Sequence, residues 1–564
     1  MKAAMSKATP DAAPCFQVVA RSAQTDRFVH TRMPPPAQWP TLRYELPELR
    51  ALQHAAQCNL VHELLDKAPD SGWGDNTLLR SPNRSLSYRQ VRVEVDRRVG
   101  VLIQDLRLEP GTRVLLRGGN SIEMALAWLA VVKAGMVAVA TMPLLRAKEL
   151  GEIIAKAQPV LALCDAALLA ELQQAQSLHP VLASIVPFND DTNPQSLSVL
   201  AAHHDKPCAP CDTAADDIAL LVFTSGTTGS PKAAVASHRD VLAACQAWPR
   251  HVLQARPQDI VMGSPPLAFS FGLGGLLIFP MFAGASVFFP DVPYSPQAMA
   301  QIIFDTGATI CYTAPTFYRQ LAPHMQEQAA RRGQHSALRL CVSAGEGLPD
   351  ETRQLWKDAT GIELLDGIGA TEMFHIFIST VPGQERRGAI GQVVPGYFAR
   401  VVDEQGHELP RGSVGRLAVQ GPTGCRYMDD ARQRNYVRDG WNYPGDAFVQ
   451  DADGYFFYQS RDDDMIITSG YNVGAPEVEG ALLHHPAVAE CAVIGQPDVE
   501  RGMLVKAFCV LKPGVVGDAA LVQVLQDHVK AHIAPYKYPR AIEFLDHLPR
   551  TETGKLQRFK LKQQ

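Results

Sequence analysis

The sequence predicts an α/β protein: a large N-terminal domain made of parallel α/β subdomains plus a β-rich subdomain, followed by a small C-terminal α/β domain. Three observations carry this expectation. At 564 residues the chain exceeds what a single hydrophobic core fills. Short apolar runs alternate with helical patterns along most of its length. Near residue 460 the run SRDDD interrupts that rhythm, and a last stretch of about a hundred residues follows, the size of a small domain.

In chain order, residues 1–55 are Pro-rich and aperiodic (MPPPAQWP) and read as an arm lying on the main body. The large domain is expected over 56–460. Within it, TRVLLRG (112–118) reads as a strand, SIEMALAWLAVVKAG (121–135) as a helix and MVAVATM (136–142) as the next strand. The same rhythm returns in IALLVF (218–223), SVFFP (286–290), TICYTA (309–314) and LRLCVSAG (338–345). Beyond about Gly412 the pattern becomes β-rich, with GRLAVQG and DGYFFYQS as strands. Residues 461–564 form the small domain.

Composition narrows the function. A net charge of −5 with 46% hydrophobic and 20% charged residues describes a globular protein without an electrostatic reason to bind nucleic acid or an anionic membrane. The 11 cysteines are scattered, which suits a reducing compartment. His203, His204, Cys208 and Cys211 bring four zinc-type ligands together, but a polar linker without a second CxxC argues against a metal there. The opening MKAAMSKATPDAAPC lacks an apolar signal core, Asp11 and Asp26 argue against a transit peptide, and FKLKQQ is no peroxisomal address, so a cytoplasmic location is expected. The uncharged stretch 269–290 is interrupted by Gly272, Gly274, Gly275, Pro280 and Gly284, and reads as buried core able to enclose an apolar ligand.

Four segments carry chemistry. FTSGTTGSPKAA (223–234) follows an apolar strand; its glycines let backbone amides turn toward a polyphosphate, its hydroxyls add donors and Lys232 adds charge. It is not a P-loop NTPase motif, because Pro231 precedes the lysine and Ala233 stands where that motif needs Ser or Thr. LLDGIGATEMFHIF (364–377) sets Thr371 beside Glu372, hard oxygens suited to a magnesium nucleotide. DGWNYPGDAFVQDADGYFFYQSRDDDMI (439–466) carries Asp446 after a Gly turn and Arg461 at the interruption. LPRTETGKLQRFKLK (548–562) carries Lys555.

In this order and spacing, the four segments resemble the acyl-adenylate-forming superfamily of acyl-CoA synthetases, peptide-synthetase adenylation domains and luciferases, over nearly the whole chain. The resemblance implies ATP, Mg2+ and coenzyme A as cofactors and a mobile C-terminal domain. It implies that Thr224, Ser225, Gly226, Thr227, Thr228, Gly229 and Lys232 form the phosphate loop, and that Gly345, Glu346 and Gly347 line the adenine. Thr371 would contact phosphates, Glu372 would hold magnesium, and Asp446 and Arg461 would bind the ribose. Lys555 would stabilise charge as the mixed anhydride forms. Rotation about Asp463 would then exchange Lys555 for the segment around Gly470, which meets the pantetheine arm. Two departures stand out: Ile368 replaces the adenine-stacking Tyr of most relatives, and Ala233 replaces a Gly.

PLAFSFGLGGLLIFP, SAGEGLP and DGIGATEMFHIFIS resemble the benzoate–CoA ligase branch, which shares the Ile368 departure; TMPLLRAKEL and the MPPPAQWP arm are similar to 2-aminobenzoate–CoA ligases. The branch implies Ser270, Phe271, Phe279, Gly369, His375 and Ile376 around a small aromatic acid. His375 follows Glu372 by three residues, so a helical segment would turn both toward one cleft. The expected activity is ATP-dependent conversion of benzoate or 2-aminobenzoate to its CoA thioester, releasing AMP and pyrophosphate. The alternatives are a medium-chain or alicyclic acyl-CoA ligase and a stand-alone enzyme loading a carrier protein. Ring substituents and oligomeric state, a homodimer included, stay open.

Overall fold

A computed structural model describes residues 21–224, 231–461, 466–468, 471–498, 502–533, 537–550 and 556–563. Among these residues the strands form four sheets flanked by helices, so the α/β class holds.

The first sheet has six strands. Arg113–Arg117 lies between Val137–Thr141 and Leu161–Asp165, all parallel, and the sheet ends in the antiparallel pair Ile218–Thr224 and Lys232–Ser237. The apolar run at 218–223 is buried on both faces, as expected of a sheet covered by helices. The helix Ile122–Lys133 starts where Ser121 accepts from the Met124 amide, and all but one of its residues are buried. Buried Arg117 donates to the carbonyls of Met142, Pro143 and Leu145 at 2.8–2.9 Å, which fixes the TMPLLR turn against the sheet edge.

The second sheet has nine strands. Ile260–Gly263, Ile310–Thr313, Leu340–Ser343 and Leu364–Gly369 run parallel, and Ile376–Ser379 folds back antiparallel. The uncharged stretch is interior, as expected: Ser270–Leu273, a π-helical turn Gly274–Ile278 and Phe279–Ala283 form one nearly continuous buried helical segment. Such turns widen the helix and cluster at functional sites. A third, antiparallel sheet is built around Val414–Gln420 and Asp446–Gln450. The fourth contains Val488–Asp498 and Gly502–Leu511, with their own buried core of Val478, Leu482, Val493, Val505 and Leu525.

Residues 21–55 pack onto the large sheets. Gln24 is buried, its amide donating to Gly135 and Ile218 carbonyls and accepting from the Ile218 amide, while Ser22 and Ala23 bond Asp217. His204 is bonded to Asp105 at 2.9 Å. Among the described residues no helix is long and apolar enough to cross a membrane.

Candidate active site

The site lies where strand ends of the first two sheets meet the third. Antiparallel pairing puts Thr224 opposite Lys232 at the mouth of the phosphate-loop hairpin. The Thr224 hydroxyl is buried without a hydrogen-bonding partner, as a group awaiting a ligand is. Ser225, Gly226, Thr227, Thr228 and Gly229 lie outside the described residues, as do Asp463, Gly470 and Lys555.

The strand Lys232–Ser237 carries a second neighbour along its other edge. Val235 donates to the Arg426 carbonyl and Met428 to the Ala233 carbonyl, both at 2.9 Å, and Ala234 bridges Tyr427. This short ladder brings the Tyr427 hydroxyl to 3.1 Å from the Lys232 ammonium, and the same hydroxyl donates to Glu372 Oε1. Lys232, Tyr427 and Glu372 thus form one chain of hydrogen bonds.

The turn carrying Glu372 is shorter than the spacing suggested. Only Thr371–Met373 is helical, a single 3₁₀ turn; Phe374 then adopts φ +69°, and Ile376–Ser379 is a strand. Glu372 and His375 therefore leave the backbone in different directions, which corrects the one-face expectation. Glu372 turns to Tyr427, and His375 enters an aromatic cage. Its ring centroid lies 4.5 Å from Phe279, 5.3 Å from Trp248 and 5.6 Å from Phe271. Gly369 permits the sharp return, because a β-carbon there would lie 2.6 Å from the His375 carbonyl oxygen.

The cage is apolar except for three side chains. Burial holds the His375 imidazole down at about 3, the Phe271 backbone opposing it only in part, so the ring is neutral. Trp248 Nε1 and the Tyr312 hydroxyl meet no hydrogen-bonding partner, the His375 ring has the Phe271 backbone as its polar neighbour, and all three side chains are buried. Tyr312 stands edge-on to Trp248 and Phe271 at 6.3 and 5.8 Å. Ser270 and Ile376 are buried beside the cage residues in sequence, and a β-carbon on Gly367 would meet the Ile376 side chain at 2.9 Å. Asn120 braces the loop before Ser270, donating to the Pro265 carbonyl at 2.9 Å and accepting from the Leu267 amide at 2.8 Å.

Arg461 pairs with Asp446 across neighbouring strands at 3.1 Å and also donates to the Pro444 carbonyl. Gly345 turns at φ +91°, and Glu346 accepts from the Thr316 hydroxyl at 2.6 Å. Arg550, on the segment leading to Lys555, lies 4.0 Å from Glu346 and 2.7 Å from Glu490. Asp366, beneath the turn, is buried, which raises its carboxyl to about 7 against the pull of Arg353 and the Gly367 amide. Lys232, Glu372 and the cage residues thus meet around one turn. Sequence reasoning missed Tyr427, Trp248 and Tyr312, whose places depend on partners far along the chain.

Comparison with known proteins adds the following. Residues 67–426 match the family model described as AMP-binding enzyme, and 477–555 match the AMP-binding enzyme C-terminal domain. The chain is 34% identical over 517 residues to the benzoate–CoA ligase of Thauera aromatica, covering 91% of this chain and 97% of the relative. It is 32% identical over 515 residues to the 4-hydroxybenzoate–CoA/benzoate–CoA ligase of Rhodopseudomonas palustris, covering 90% and 94%. Among solved structures, the anthranilate CoA ligase AuaEII in complex with anthranoyl-AMP superposes with a TM-score of 0.84 at 35% identity, covering 90% of this chain and 97% of that one.

Proposed function

Since the chain belongs to the AMP-binding enzyme family, in its benzoate–CoA ligase branch, and is an AMP-forming acid–thiol ligase, we propose that its acid is a benzoate bearing a hydrogen-bonding ring substituent, 2-aminobenzoate before benzoate. The observation that carries this reading is the cage around His375. Its aromatic side chains are of the kind that lines a site for a flat ring, and beside the neutral imidazole an indole N–H and a phenol are buried without a partner. An unsubstituted ring would leave those groups unpaired, at a cost of roughly 1–3 kcal/mol each. The anthranoyl-AMP carried by the similar AuaEII structure supports the same choice.

In the first half reaction a carboxylate oxygen of the acid attacks the α-phosphorus of ATP, and the bond to pyrophosphate breaks. Lys232, Thr224 and the loop 225–229 orient the departing phosphates, Thr371 contacts them, and Lys555 balances charge at the forming anhydride. Asp446 and Arg461 hold the ribose, while Gly345, Glu346 and Gly347 line the adenine. Glu372 offers the hard carboxylate oxygen a magnesium ion requires; that ion neutralises phosphate charge when bound. In the second half reaction the thiolate of coenzyme A attacks the acyl carbonyl and AMP leaves. Residues 461–564 rotate about Asp463 between the two, bringing Gly470 to the pantetheine arm.

Pyrophosphate release with MgATP tests the reading over benzoate, 2-aminobenzoate, 4-hydroxybenzoate, cyclohexanecarboxylate and hexanoate, each with and without coenzyme A. Preference for 2-aminobenzoate, with thioester formed only when coenzyme A is present, is the expected result. Turnover led by cyclohexanecarboxylate or hexanoate would overturn the cage assignment.

A further inference from the structure

Tyr427 occupies a position that the reaction outlined above leaves without a task. It is 1% exposed, and its backbone amide donates to Gln433 Oε1 at 2.8 Å. Gln433 in turn bonds the Cys425 and Gln38 carbonyls, and Tyr436 packs edge-on at 5.8 Å. The ring is therefore fixed from behind. Its hydroxyl has one proton and a lone pair to offer, and both are committed: the proton to Glu372, the lone pair to Lys232. Burial and the Glu372 charge push the phenol far above its ordinary range, so it stays neutral.

A neutral phenol between an ammonium and a carboxylate has a consequence for both. Without it, opposite charges so close in a half-buried cleft would collapse into a direct pair, and a ligand claiming either would first have to break that pair. With it, each charge holds one partly polar contact that is easily exchanged. The ladder of 426–428 along Lys232–Ser237 sets the register of this arrangement.

We propose that Tyr427 is a positioning residue that keeps Lys232 and Glu372 one hydroxyl apart in the nucleotide-free enzyme and releases them to the phosphates and the metal of MgATP. This rests on the function proposed above for those two residues. Once the nucleotide binds, Lys232 exchanges the phenol oxygen for a phosphate oxygen and Glu372 exchanges the phenol proton for the cation.

Calorimetric titration of the full-length protein with MgATP tests the proposal without relying on turnover. Tyr427→Phe, which keeps the ring and its packing, is expected to weaken MgATP binding about tenfold, equivalent to about 1.4 kcal/mol. The KM for the acid and the melting temperature should hardly move. In a Glu372→Gln background the same substitution should change the Kd less than twofold, because the carboxylate through which it acts is gone. Unchanged or tighter MgATP binding by Tyr427→Phe would overturn the proposal, as would a joint loss of acid affinity, nucleotide affinity and stability. A wild-type protein that binds no MgATP would instead sink the function on which the proposal stands.

Discussion

A β-carbon placed on Gly274 would lie 2.6 Å from His375 Cδ2 and 3.0 Å from both His375 Nε2 and Phe279 Cε2. Gly274 opens the π-helical turn, and the imidazole leans against its bare backbone. Gly274→Ala must therefore push the ring into the cage. We expect the KM for the aromatic acid to rise at least tenfold with the KM for ATP within twofold, and stability to fall by about 1–3 kcal/mol. Steady-state kinetics with each substrate varied in turn would show it; an unchanged acid KM would mean the cage does not hold the acid.

His375 and His238 are both buried with imidazoles held down at about 3 by desolvation. His238 Nδ1 accepts the Leu60 amide, a role only the neutral ring can fill. Because the folded values lie below the unfolded one, the unfolded chain takes up protons first. Stability is whole above about pH 6.5 and is lost as pH falls toward 3, at about 1.4 kcal/mol per unit for each ring. Denaturant midpoints between pH 7.5 and 5 should fall steeply, and His375→Gln should remove about one proton from the slope. Parallel slopes would contradict this.

Asp366 titrates with the opposite sign. Its folded value is raised to about 7, so its favourable contribution is present below the unfolded carboxylate range and disappears as pH rises toward 7. Asp366→Asn, of the same shape and always neutral, should gain on the wild type by about 1.4 kcal/mol per pH unit up to 7. Thermal unfolding of the pair at pH 5, 6, 7 and 8 measures the widening gap; a gap that narrows would place the charge elsewhere.

Asn120 both donates and accepts across the 265–267 turn. Asn120→Ala removes the brace and should raise the acid KM several-fold, costing about 1–2 kcal/mol of stability. Asn120→Asp should be worse, since a carboxylate oxygen would face the Pro265 carbonyl. If the two variants behave alike, the donor half of the brace contributes nothing.

The sheets were readable because their strands are short apolar runs closed by Gly or Pro. Residues 218–223, 309–314 and 338–345 all became strands within two residues of the expected ends. The π-helical turns had no such signal, since a wide turn and an ordinary one bury the same apolar residues. In the site, the family resemblance pointed to Lys232, Glu372 and His375, while helical spacing misjudged how the last two relate, because the left-handed backbone at Phe374 ends the helical turn after one residue triplet. Tyr427 and Trp248 look like any core aromatic until chain segments far away in sequence lie beside them. Ser225, Asp463, Gly470 and Lys555 are outside the described residues and rest on motif alone.

The Gln24 amide is seated between groups that include the Ile218 carbonyl, 194 positions later. During synthesis the beginning of the chain thus emerges long before the strand that receives it. At roughly 5–20 residues per second that delay is about 10–40 s. Over that interval Gln24 lacks the strand that receives it, and nascent-chain chaperones have access to that part of the chain.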